Sequence, residues 1–200
     1  DTGAFSYCDS LASVTIPDSV TSIGNGAFLR CGKLTDVQLP VSLTEAGEYI
    51  FESCSSLTEM AIPESLTYVP LGLFNVCTSL KSVTIPESVV TIESGAFSRC
   101  ESLTGIVLPS GVKSIGQYAF SKCGSLTEMI LPQGVETIGR QAFEDCVGLT
   151  EIIVPNSVTS LGGDGFGGVF MDCTGLKSVT LPSSITEIGD STFTRCSSLE

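Results

Sequence analysis

The stretch Leu80-Lys81-Ser82-Val83-Thr84-Ile85-Pro86-Glu87-Ser88-Val89-Val90-Thr91-Ile92-Glu93-Ser94-Gly95-Ala96-Phe97-Ser98-Arg99-Cys100-Glu101-Ser102 decides the fold, because the whole chain repeats it. Cysteines fall at 8, 31, 54, 77, 100, 123 and 146, each 23 residues apart; Cys173 follows after 27, and Cys196 after a further 23. Nine phenylalanines from Phe5 to Phe193, eight prolines from Pro17 to Pro182 and nine leucines from Leu11 to Leu199 keep the same step. Four residue types in one register define a tandem array. A single such unit cannot bury an apolar face alone. Stacked units share a continuous core, so stability resides mainly in the interfaces between neighbours.

Within the unit, Leu80, Val83 and Ile85 are expected to point inward, and Ser82 and Thr84 outward. The alternation of Val83, Thr84 and Ile85 has the period of two that marks a strand. Pro86 has no N–H for a ladder and closes that strand. The β-branched run Ser88-Val89-Val90-Thr91-Ile92 predicts a second extended segment on the other side of the coil. A corner follows, usually Ile-Gly, as at Ile23-Gly24, Ile115-Gly116, Ile138-Gly139 and Ile188-Gly189. Glycine there signals a positive φ or a tight approach. Gly95 to Cys100 has room for one helical turn of 3₁₀ type. Each Phe is expected to stack on the next Phe, and each Cys on the next Cys. With strands ~4.8 Å apart, eight coils make a sheet on the order of 40 Å long.

The fold class is therefore a mostly β solenoid with a parallel sheet of one short strand per repeat, a second short extended segment and a single helical turn. It forms one array over residues 1–200. Full repeats run 11–33, 34–56, 57–79, 80–102, 103–125, 126–148, 149–175 with four inserted residues, and 176–198, with partial repeats at 1–10 and 199–200. Because the first residues already belong to a repeat, the chain is expected to be a fragment of a longer protein. Two repeats show compensating substitutions: Ala46 with Ile50, then Val69 with Leu73, each pairing a change in one core position with a change in another. A close-packed layer filled by both positions explains this, and predicts that the two side chains touch or share a neighbour rather than lying on opposite faces.

A net charge of −13 and only nine Lys plus Arg disfavour nucleic acid and anionic membrane as partners. No apolar run approaches the ~18 residues of a membrane span. There is no His, which removes the usual triads, His ligation of metals and the near-neutral proton shuttle. The cysteines lack the clustered spacing of metal sites and are expected to be buried, reduced thiols acting as small hydrophobes. No cofactor and no catalytic residue is expected.

The pattern L-x-x-V-x-I-P…I-G-x-x-A-F-x-x-C resembles the BspA-like class of bacterial leucine-rich repeats, over essentially all of the chain. Here the Asn-or-Cys position of leucine-rich repeats is Cys throughout. The resemblance implies a right-handed solenoid within a surface or secreted protein, associated with adhesion or host-protein binding. The anaerobic habitats it implies are compatible with free thiols outside the cell.

Three local features stand apart. Gly162 to Gly168 formally contains a dinucleotide fingerprint, Gly163-x-Gly165-x-x-Gly168, but no helix of useful length follows. It is expected to be a glycine-rich bulge that absorbs the insertion on the side away from the main sheet. A row read as preceding each cysteine (Asp9, Arg30, Ser53, Val76, Arg99, Lys122, Asp145, Asp172, Arg195) predicts exposed ion pairs at Asp9–Arg30, Lys122–Asp145 and Asp172–Arg195. On the strand face, most outward positions are small or polar, but three successive coils carry Val107, Ile130 and Ile153 beside Glu128 and Glu151. Nothing in the sequence around the two glutamates suggests a cleft for catalysis; a calcium site is possible there, but one-per-coil carboxylates without supporting carbonyl ligands are weak evidence for it. The stripe is the candidate protein-binding surface. The expected function is non-catalytic binding of a protein partner through the strand face. The alternative is a structural spacer or accessory region that displays another domain. The oligomeric state and the ligand are left open by the sequence.

Overall fold

The computed structural model describes residues 1–162 and 167–200. They form a parallel β-solenoid in which two strand types alternate along the chain. The longer type has three residues, as in Ser82–Thr84, Gly105–Val107, Glu128–Ile130 and Glu151–Ile153. The shorter type has two, as in Thr91–Ile92, Ser114–Ile115 and Thr137–Ile138. All pairings are parallel and in the repeat register: Val14 lies opposite Val37, Met129 opposite Ile106, and Ile115 opposite both Ile92 and Ile138. The register survives the insertion, because Ile152 pairs with Val179 and Leu161 with Ile188. Among the described residues no helix is long and apolar enough to cross a membrane.

The core lies between the two rows of strands and the turn side. In the coil that begins at Leu80, the buried residues are Leu80, Val83, Pro86, Val89, Ile92, Ala96, Phe97 and Cys100, and Ile85 packs against them. Lys81, Ser82 and Thr84 face solvent, the alternation expected of a strand buried on one side. Ala46, Ile50, Val69 and Leu73 all belong to this one core, so neither pair is split between opposite faces.

The phenylalanines form one unbroken stack from Phe5 to Phe193. Ring centroids are 5.2–6.0 Å apart, and all but one of the eight pairs lie within 9° of parallel. Burying each ring from Phe28 to Phe170 contributes about 1.5–3 kcal/mol, and favourable aromatic pairing adds about 0.5–1.5 kcal/mol.

The turn side is built differently from a 3₁₀ helix. Ala96, Ser98 and Cys100 donate N–H bonds to carbonyls three residues back (Glu93, Gly95 and Phe97), as such a turn would. The intervening Gly95, Phe97 and Arg99 donate instead to Gln117, Ala119 and Ser121 of the next coil, at 2.7–2.8 Å. The result is a string of tight turns in which every second amide belongs to the neighbour. It requires two left-handed residues per coil, here Gly95 at φ +62° and Arg99 at φ +60°. The first position takes Tyr49, Tyr118, Gln141 and Ser191 as well as glycine; the second takes Arg, Tyr, Ser, Val, Lys or Asp and never glycine. A non-glycine residue in this conformation costs roughly 1–2 kcal/mol. The cross-coil amide bonds hold it there.

The corner glycines answer to close approach rather than to positive φ. A Cβ on Gly116 would lie 2.5 Å from the backbone nitrogen of Ser94, and one on Gly139 would lie 2.4 Å from that of Gln117. The insertion's fingerprint glycines Gly163 and Gly165 lie outside the described residues, and so does any protrusion there. At its edges Gly162 and Gly167 have φ of +100° and +106°. The solenoid hydrogen bonds resume at once, with Phe143 N–H donating to the Val169 carbonyl.

Candidate interaction face

Three successive coils differ from the others on the outward face of the longer strands. In Gly105–Val107 the central Ile106 enters the core and its two neighbours look outward; Met129 and Ile152 do the same in the next two coils. Val107, Ile130 and Ile153 are consequently 84%, 80% and 60% exposed. Val107 lies directly opposite Ile130 in the ladder, and strand Glu151–Ile153 packs beside Glu128–Ile130. The same row carries Thr84 before the stripe and Thr180 after it. All five candidate residues thus lie on one face, the apolar three in one row and Glu128 and Glu151 in the row two residues earlier.

Around Val107 and Ile130 the face forms a shallow depression. The strand floor includes Ser82, Thr84 and Gly105, and the loops after the prolines add Glu87, Ser110 and Gln133. Sequence reasoning overlooked this wall. Its signal was the residue after each proline, which is polar or charged in most coils. It also overlooked Gly105, whose missing side chain leaves Glu128, its ladder partner, uncovered.

A second missed feature lies behind the depression. Ser42, Ser65, Ser88, Ser157 and Ser184 each donate their hydroxyl to a carbonyl of the preceding coil, at Val20, Leu43, Leu66, Val135 and Val158 respectively. The same position is Gly111 and Gly134 in the coils that form the depression. A Cβ on Gly111 would meet the carbonyls of Glu87 and Val89 at 3.6 and 3.7 Å.

The cysteines are free thiols, and all but Cys8 are buried. They do more than fill space. Cys54, Cys77, Cys100, Cys123 and Cys146 each donate the thiol to the carbonyl of the preceding coil's Phe, at 3.0–3.3 Å. That carbonyl also accepts the N–H of its own coil's Cys, so both lone pairs are used. Burial pushes Cys54, Cys123 and Cys173 up to about 12, and the thiols of Cys77, Cys100 and Cys146 well above the ordinary range.

Of the expected ion pairs, Lys122–Asp145 forms at 3.8 Å, and Arg195 grips Asp172 with two nitrogens, one at 2.7 Å. That grip holds the Asp172 carboxyl below its usual range. Asp9–Arg30 does not form. Asp9 follows its cysteine, whereas the other members of the row precede theirs, so the residue in register with Arg30 is Tyr7. The Arg30 guanidinium lies 5.4 Å from the Tyr7 ring centroid, a cation–π contact in place of the ion pair. Lys113 and Glu136 make a pair that was not foreseen, at 3.4 Å.

Fold and face together define a leucine-rich-repeat solenoid. The family model of the BspA type leucine rich repeat region matches residues 1–123 and 90–200, and the chain belongs to that family. A leucine rich repeat protein of T. pallidum is 29% identical over 94% of this chain and 78% of its own, with a TM-score of 0.74. A leucine-rich repeat protein from Eubacterium ventriosum superimposes with a TM-score of 0.63 at 21% identity, over 96% of this chain and 78% of that one. A leucine rich cell surface protein from Faecalibacterium prausnitzii gives a TM-score of 0.50 at 24% identity, over 95% and 78%. No curated protein matches the chain.

Proposed function

We propose that this chain is a non-catalytic, protein-binding part of a bacterial surface or secreted protein, and that it engages a partner, such as a host protein, through the strand face. The observation that carries this reading is the stripe of Val107, Ile130 and Ile153, three large apolar side chains exposed in succession on a face that is otherwise small and polar. Isolated exposed hydrophobes are ordinary, whereas a contiguous row with a charged edge has the make-up of an interface centre. The similarity to a protein described as a leucine rich cell surface protein supports the location.

The test is a binding screen of the purified chain against immobilised extracellular host proteins, with Ile130→Asp and Glu151→Lys alongside. The expected result is a partner whose affinity falls at least about tenfold with Ile130→Asp, as truncation of an interface centre commonly does, at unchanged thermal stability. Binding that is indifferent to both substitutions would overturn the reading. The small, polar outward pairs Ser13/Thr15, Ser82/Thr84 and Ser178/Thr180 favour a second reading, a spacer that displays another domain. It predicts that neither substitution alters any interaction.

A further inference from the structure

The depression beside the stripe has a charge pattern that restricts what can occupy it. Its lining includes two carboxylates, Glu87 and Glu128, and neither Lys nor Arg. They stand on opposite sides of the apolar row. Glu128 precedes Ile130 on its strand, and Glu87 comes from the loop after Pro86, beyond Thr84. Glu151 extends the first side by one coil. Gly105 opposite Glu128 offers no side chain to cover it. Glu87 meets only the Ser110 hydroxyl, at 3.4 Å. The nearby Lys113, adjacent to Gly134, is engaged by Glu136.

We propose that this depression takes a cationic segment of the partner: a polypeptide stretch that seats an apolar side chain on Val107 and Ile130 and sends Lys or Arg side chains outward to Glu87 and to Glu128 or Glu151. The proposal rests on the strand-face reading and specifies its partner. A purely apolar partner would cover these carboxylates without compensating them, and a buried, unpaired charge is strongly unfavourable. A second copy of this chain would bring glutamate onto glutamate and −13 onto −13. A cationic segment meets neither obstacle. The acidic chain also steers it in from a distance, and guanidinium on carboxylate gives the strong, two-pronged hydrogen bonds. Three coils ~4.8 Å apart leave room for successive same-face side chains of an extended strand, spaced ~6.8 Å.

The probe is a blocked synthetic peptide, Arg-Ser-Val-Ser-Arg-Ser-Val, in which Arg and Val share one face of the extended strand, followed by fluorescence anisotropy at low salt. Matched peptides carry Glu for Arg or Ser for Val. The test variant is Glu87→Gln/Glu128→Gln. The control is Glu45→Gln/Glu48→Gln, which removes the same charge from exposed positions outside this face. The expected result is that the Arg–Val peptide alone binds well and that the test pair weakens it about tenfold. The control pair should change it less than about twofold, and most affinity should be lost by ~0.15 M salt. Equal losses from the two pairs would mean generic attraction to an acidic protein and would overturn the proposal. Loss with Val107→Ser/Ile130→Ser but not with Glu87→Gln/Glu128→Gln would overturn the cationic partner and leave the strand face standing. Indifference to both would remove the strand face as well. A stripe-dependent dimer in sedimentation would assign the face to a second copy instead.

Discussion

The turn side and the strand face are built from the same repeat under opposite constraints. On the turn side Phe and Cys recur in every coil, each ring stacks on the next, and each buried thiol bonds the preceding coil's Phe carbonyl. On the strand face the corresponding outward row runs through Thr, Gln, Ala, Val and Ile with no change in backbone register. A coil shared with two neighbours leaves no freedom where side chains interlock, and leaves it wherever they point to water. Variation on such an array is therefore most informative on the open face, and there the large apolar residues are concentrated in three coils.

The sharpest way to break the turn side is alkali. Cys54, Cys123 and Cys173 have an ordinary value of 9.0 and are pushed up to about 12 by burial. A group whose folded pKa lies above its unfolded one lends its full stability below the unfolded value and loses it as pH climbs through the folded one. Between about pH 9 and pH 12 the unfolded chain has released these protons and the folded chain has not. Each thiol then lowers stability by about 1.4 kcal/mol per pH unit, and the three together by about 4. Urea midpoints measured from pH 7 to 11 should be flat at first and then collapse above about pH 9. A midpoint that holds to pH 11 would mean that the spine admits thiolates.

Phe120→Ala tests the same region sterically. Its ring is fully buried between Phe97 and Phe143. Removing it should cost about 3–5 kcal/mol, read as a loss of the urea transition midpoint. A loss under about 1 kcal/mol would show that neighbouring coils close the gap.

How far the sequence revealed these two regions follows from what each depends on. Stacking of like on like requires only a constant period, so the Phe column, the inward and outward strand positions and the exposure of Val107, Ile130 and Ile153 were legible from spacing alone. The left-handed residue before each cysteine was not, because cross-coil amide bonds impose that conformation on Arg99 or Val76 with no glycine to betray it. The thiol-to-carbonyl bonds were hidden for a similar reason: a Cys beside a Phe in sequence gives no sign of which coil's carbonyl it reaches. The Asp9–Arg30 pairing failed on register, since an offset of two residues at the turn moves a side chain off the row. The depression was invisible because its wall comes from loops whose position relative to the strand no periodicity fixes.

Gly111→Ser sharpens the comparison on the other side of the coil. The serine would restore a donor that five other coils possess, its Cβ makes ordinary contacts, and Gly111 is not among the left-handed glycines. A gain of about 0.5–1.5 kcal/mol is expected from the hydrogen bond to Val89 and from a less free unfolded chain, measured as a raised urea midpoint. A destabilised variant would show that the backbone there has moved away from the serine geometry of the neighbouring coils.

The smallest expected effect is the most telling for the strand face. Replacing Val107, Ile130 and Ile153 together by Thr converts the stripe into the residue that Thr84 and Thr180 already supply at the same position. The side chains are largely outside the core, so stability should shift by no more than about 0.5 kcal/mol at each site. Both methyl-rich side chains and Thr are β-branched, so the strand preference is retained as well. If stripe and spine are independent, this variant should melt like the parent and fail to hold a strand-face partner. A large loss of stability would mean instead that the stripe supports the sheet, and the exposed row would then be explained by folding, with no partner needed.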